Sequence, residues 1–178
     1  MSAKFFLLPL LLSASVLLAQ TPPLAPLPPD GFVTLDQIVS DFSTQPDAAA
    51  QKYNGARVLV YGRVGSVQKS DDIDGNPLVA FLQLASNPTP DVKCVFDDGD
   101  IPSENVSINS DQTQVTIAKR NDETGALDDK RPFLIVGQNV GIHGTFSRFT
   151  AGDVVLHNSR KVSPEKLAEA LQQNGIKP

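Results

Sequence analysis

The chain is short of the residues that carry most side-chain chemistry. It has one cysteine, two histidines and no tryptophan in 178 residues. A lone thiol, Cys94, excludes an internal disulfide. One cysteine and two histidines fall short of the four ligands of a closed zinc site. Aromatics make up 6% of the chain, a thin supply for the stacking that single-strand nucleic-acid binders use. Positive charge is also scarce, with 15 basic residues against 20 acidic ones. That balance disfavours non-specific nucleic-acid binding, which rests on neutralising phosphates. Beyond residue 18 no stretch is apolar enough to span a bilayer. Catalytic signatures are missing as well: no nucleophile elbow, no phosphate loop, no metal-spaced His and Cys cluster. Paired carboxylates occur only in turns, where solvent keeps their acidity ordinary. These shortages predict a protein that is not an enzyme and takes no cofactor and no metal.

What is present begins with an export pattern. Met1 to Lys4 make a short positive start, Phe5 to Leu18 are almost wholly apolar, and Ala19 suits cleavage. This predicts a signal peptide over residues 1–19. The apolar run is about 14 residues, short of the ~20 of a spanning helix. Pro9 interrupts it, and no cysteine follows to accept a lipid. The mature protein is expected to begin near Gln20, to be periplasmic or secreted, and not to span the membrane. Loss of Lys4 with the leader moves the formal net charge from −5 to −6.

Residues 20–33 come next. Five prolines between Thr21 and Asp30 exclude a helix or central strand and predict an extended, solvated tether. Thr34 and Gln37 are placed as N-cap and N3 of a capping box. Leu35, Ile38, Val39 and Phe42 then follow a helical period. A second helix is expected from Pro46 to Tyr53, ended by Asn54-Gly55. Together the two should close one end of a barrel.

The alternating stretches predict five barrel strands: 57–68, 78–84, 92–96, 133–146 and 154–159. Val58, Val60, Gly62 and Val64 share the inward parity of the first, and Gly62 marks its bend. Cys94 shares a face with Val92 and Phe96 and reads as a small buried apolar residue. Residues 97–132 form an insertion, with a hairpin of 106–108 and 115–117 and a polar loop over 121–132. The C-terminal unit, 163–178, is a helix capped by Ser163, with Pro164 at its first position and Gly175 as its stop. The expected fold is therefore mostly β, a five-stranded Greek-key barrel of the OB type spanning 34–162.

Four stretches carry a resemblance: Ala49-Ala50-Gln51-Lys52-Tyr53-Asn54-Gly55, Val60-x-Gly62-x-Val64, Val92-x-Cys94-x-Phe96 and Gly137-x-x-Val140-x-Ile142-x-Gly144. Over residues 35–161 the chain resembles the tRNA anticodon-like OB-fold family, many of whose members are exported. The resemblance implies nucleic-acid binding. The residues themselves point elsewhere. OB-folds bind on the face of strands 2 and 3, framed by the loops between strands 1–2 and 4–5. The first of those loops holds Asp71, Asp72 and Asp74, which repel phosphates. Ser70-x-Asp72-x-Asp74-Gly75 has a calcium-loop spacing, but the twelfth position is Phe81 instead of Glu, so a solvated turn is expected.

Basic residues are segregated. Lys52, Arg57, Arg63 and Lys69 lie in or beside the first strand; Arg148, Arg160 and Lys161 flank the last. A last hairpin centred on Thr150 would set His143 opposite His157. Arg57, Arg63, His143, Arg148, His157 and Arg160 are thus the candidate contacts for an anionic ligand or protein partner. The expected function is an exported, non-enzymatic OB-fold binding module, with nucleic acid an unlikely ligand. A nucleic-acid-binding OB domain is the alternative.

Overall fold

The computed structural model describes residues 22–71, 73–83, 92–97, 101, 105–150 and 153–176. The expected leader, Asp72, Leu84 and most of 98–104 lie outside these residues. The elements run β1 (Phe32–Val33), α1 (Leu35–Thr44), α2 (Pro46–Tyr53), β2 (Arg57–Lys69), β3 (Leu78–Gln83), β4 (Val92–Phe96), β5 (Val106–Ile108), β6 (Gln114–Arg120), β7 (Leu127–Ile135), β8 (Asn139–Thr150), β9 (Asp153–Lys161) and α3 (Pro164–Gln173).

Five of these strands close into a barrel in the order β2-β3-β4-β9-β8, with β8 returning to β2. All neighbours are antiparallel except β4 and β9. This is the OB-fold expected from the sequence. β2 closes it by pairing β8 along its first half and β3 along its second: Arg57 to Arg63 face Thr145 to Asn139, and Arg63 to Lys69 face Gln83 to Leu78. The bend falls at Gly65, not at Gly62. The register with β3 shifts between Val64 and Ser66, so Val58, Val60, Val64 and then Val67 all reach the core. A bulge inserts one unpaired residue and resets the side-chain parity.

The two ends of the barrel are plugged by different parts of the chain. At one end α1 and α2 bring Leu35, Ile38, Ala49 and Tyr53 into the core. Phe42 stacks on Phe146 and Phe149, with centroids 5.7 and 4.5 Å apart. Thr34 caps α1 by accepting the Gln37 N–H. The Gln37 side chain does not complete a capping box; it donates to Asp41. Asp41 is the polar anchor of this plug. Its carboxylate also accepts from Lys52 Nζ and Tyr53 Oη, both at 2.8 Å. Burial alone would raise the Asp41 pKa, but the bonds from Lys52, Tyr53 and Gln37 hold it below the usual carboxylate range.

The other end is closed by the insertion. It is a three-stranded antiparallel sheet, β5-β6-β7, whose Val106, Val115 and Leu134 enter the core. Two expectations change here. Residues 127–132 are strand, not loop, and the stretch 133–146 is two strands. Gly137, at φ +91°, turns the chain between β7 and β8.

α3 follows its caps as expected, with Ser163 accepting the Lys166 N–H. It lies on the outer face of β8, where Gly141 leaves room: an added Cβ would come within 2.7 Å of Leu167. The proline segment is not fully solvated. Leu24 and Leu27 pack against the core, and Gln45 Nε2 donates to the Pro22 carbonyl at 3.1 Å. Cys94 is fully buried.

Two tests follow from this packing. A Cβ at Gly144 would meet Leu156 Cβ at 2.8 Å, whereas one at Gly62 meets nothing closer than 3.2 Å. Gly144→Ala should cost about 2 kcal/mol through overpacking, and more than Gly62→Ala; urea midpoints compare the two. Asp41→Ala should cost ~3 kcal/mol, because it leaves Lys52 buried without its counter-ion. With its folded pKa depressed, Asp41 stabilises fully above the unfolded carboxylate value of ~3.9. That stability is lost as pH falls through the folded pKa. Asp41→Asn should flatten the acid limb of a stability-against-pH profile; an unchanged limb would rule out the network.

Candidate functional site

Directly paired residues on neighbouring strands share a face of the sheet. The core takes Val92, Cys94, Phe146, Val154 and Leu156, so the residues between them point outward. Three outward rows follow from the registers. Ser66, Phe81, Lys93, Val155 and Arg148 form one across all five strands. Arg57, Thr145 and His157 form the second, and Leu59, His143 and Arg160 the third.

The outer face of β8 and β9 thus runs from Arg148 past His157 and Arg57 to His143 and Arg160. Strands lie about 4.8 Å apart, so Lys93 and Arg148, two strands apart, have backbones about 10 Å apart. The side chains of Arg57, Lys93 and Arg148 make no hydrogen bond or salt bridge among the described residues. Five of the six expected contact residues therefore share one continuous surface. Arg63 does not belong to it. Its Nε donates to the Gly137 carbonyl at 3.1 Å, and α3, seated on Gly141 and Leu59, separates it from Arg57.

The histidines do not face each other. His143 pairs with Arg160 and His157 with Thr145, because the hairpin closes on the pair Thr150 and Asp153 instead of centring on Thr150; the bulges between His143 and Thr145 and between Phe146 and Arg148 offset each other. His143 is half-buried, and its Nδ1 lies 3.3 Å from the Val58 carbonyl. Burial lowers its pKa, with Arg57 and Lys166 pushing the same way against the Val58 carbonyl and Asp30. That shift favours the neutral ring. Since the carbonyl can only accept, Nδ1 carries the proton and Nε2 is an acceptor. His157 Nδ1 bonds Asp97 Oδ2, and Asp97 Oδ1 accepts from the Asn158 N–H at 2.6 Å. Asn158 sits at φ +49°, so Asp97 clamps a bulge that aims His157.

Two further bases leave the patch. Lys52 is committed to Asp41 at 2.8 Å. Lys161 donates to the Phe133 carbonyl at 2.6 Å, and burial lowers its pKa. Lys93 and Phe81 were not among the expected contacts. Phe81 is half-buried, outward-facing and in register with Lys93. Strand parity alone could have found both, since Phe81 alternates with the core residues Ala80 and Leu82. Among the described residues no three His, Cys, Asp or Glu side chains gather to hold a metal ion, and no helix is long and apolar enough to cross a membrane.

No protein-family model and no curated protein matches the chain. Among solved structures, a "putative nucleic acid-binding lipoprotein" from Klebsiella pneumoniae subsp. pneumoniae MGH 78578 is similar, at 15% identity and a TM-score of 0.48 over 74% of this chain and 91% of that one.

The direction of the His143 shift is open to NMR titration. Its ring protons should titrate below the ordinary 6.5. The matching stability is complete above 6.5 and lost as pH falls through the folded value. A midpoint at or above 6.5 would return His143 to the cationic surface.

Proposed function

We propose that this protein is an exported, non-enzymatic OB-fold module that binds an anionic ligand, a polyanionic polymer, on the outer face of β8 and β9. The observation that carries this reading is the register, which sets Arg57, Lys93, Arg148 and Arg160 on one surface of an otherwise acidic chain. The leader-like residues 1–19 support export. The absence of catalytic signatures from the sequence supports a binding role.

One observation favours the alternative, a nucleic-acid ligand. Phe81 and Lys93 lie side by side on the outer face of β3 and β4, where OB-folds take oligonucleotides, and the family resemblance agrees. Against it stand Asp71 and Asp74 in the adjoining turn, and a single half-buried ring in place of a stacking platform.

Titration with dextran sulfate and with a single-stranded oligonucleotide separates the two. The polyanion should bind with an affinity that falls as salt rises. The triple variant Arg57→Glu, Arg148→Glu, Arg160→Glu should weaken it at least tenfold. The oligonucleotide should bind no tighter than ~10⁻⁵ M at physiological salt. Micromolar oligonucleotide binding lost in Phe81→Ala would install the alternative; a polyanion that ignores the triple variant would remove the first reading.

A further inference from the structure

The core-facing row of the insertion runs on past the core. Val115 and Ile117 lie two apart on β6 and share a face with their β7 partners, Leu134 and Arg131. Val115 and Leu134 are buried, Ile117 is partly buried, and Arg131 is exposed. Lys119, one step further along the same face, is exposed as well. The row therefore ends in two cations that flank one isoleucine. Arg131 stands directly across from Ile117, and Lys119 lies on the diagonal from Arg131, about 7–8 Å away. The register shifts at this point: Lys119 pairs with Asp128, so Asp129 and Lys130 both stand opposite Ala118. Asp129 sits at φ +50°. A bulge of this kind re-aims a side chain.

Lys119, Asp129 and Arg131 line one pocket of about 230 Å³, with Ile101, Ile117 and Ala118 as its apolar wall. That volume is below the ~300–1,000 Å³ of sites for drug-sized ligands, so the pocket suits a smaller molecule. None of the three charged side chains makes a hydrogen bond or ion pair among the described residues. Asn105 also lines the pocket. Its Oδ1 is buried and has no hydrogen-bond partner among the described residues. A buried acceptor without a donor is uncommon in a folded protein and calls for a partner. A half-turn of the amide exchanges Oδ1 and Nδ2, which lets the oxygen face the pocket.

We infer that this pocket binds a small zwitterion, a free α-amino acid with a short aliphatic side chain. Its carboxylate would lie between Lys119 and Arg131, whose guanidinium offers a forked pair of donors. Its ammonium would bond Asp129 and the Asn105 oxygen. Its side chain would cover Ile101 and Ile117. The mixed charge of the pocket sets this ligand class. A simple anion would set like charge against Asp129, and a simple amine would meet two cations. The pocket shares no residue with the anion face, and the inference does not rest on that reading.

The test uses the full chain and three probes that share one carbon skeleton: L-leucine, 4-methylpentanoate, which lacks the amine, and 3-methylbutylamine, which lacks the carboxylate. Backbone and asparagine side-chain amide signals are followed by NMR during titration. Leucine at millimolar concentration should shift Ile117, Ala118 and the Asn105 side-chain amide in a saturable way. Each single-charge probe should bind at least tenfold more weakly. Asp129→Asn, which keeps a residue tolerant of positive φ, should weaken leucine at least tenfold and leave 4-methylpentanoate no weaker than before. Arg131→Gln should weaken both. If either variant fails to fold, the comparison of the three probes decides alone. Unchanged signals with leucine would overturn the proposal. So would equal binding of leucine and 4-methylpentanoate, which would make this a plain anion site, or leucine binding that ignores both variants.

Discussion

Everything in this structure depends on β2 keeping two sets of main-chain bonds on opposite edges. A small barrel has no free sheet margin only if one strand is shared between its two halves, and the sharing strand must turn sharply midway. Thirteen residues do this here, with Gly65 taking the extra position. The turn puts Val58 and Val60 before it, and Val67 after it, into one core despite their opposite parity. It also leaves the distal edge of β2 without a β8 partner, and the insertion is built opposite that edge.

Charge follows the same geometry. The chain is acidic overall, but strand alternation sorts residues by face before it sorts them by sign. Arg57, Lys93, Arg148 and Arg160 gather because pairing brings four different strands into line. Bases that can reach a carbonyl or a buried carboxylate are withdrawn into structure: Arg63 to Gly137, Lys161 to Phe133, Lys52 to Asp41. Burial acts in the same direction on His143, lowering its pKa.

How much of this was legible in advance depends on how local the cause is. Helix ends were readable from Thr34, Pro46, Ser163 and Gly175, because capping chemistry acts within four residues. The five barrel strands and the burial of Cys94 were readable from alternation. The bulges were not, since one extra residue leaves no mark on composition yet moves every later partner. The place of the last hairpin's turn was not legible either: Thr150 pairs with Asp153, which sets His143 beside Arg160 and not His157. The turn at Gly137 does carry a local mark, since Gly137-Gln138-Asn139 breaks the apolar run, but the apolar stretches on both sides read as one strand. The strand 127–132 was hidden for the opposite reason: its residues through Pro132 are exposed, so no alternation exists to be seen. For the site, outward parity on single strands was accessible, while the row linking Phe81, Lys93 and Arg148 needed registers across the whole barrel.

The burial of Cys94 has a use beyond packing. Its thiol lies on the central strand of the barrel wall, wholly shielded, and burial pushes its pKa up, so the reactive thiolate is suppressed twice over. An alkylating reagent reaches it only when β3, β4 and β9 separate. With no second cysteine in the chain, the rate of labelling at that one sulfur is a clock for whole-barrel opening, blind to motion in the loops and helices around it.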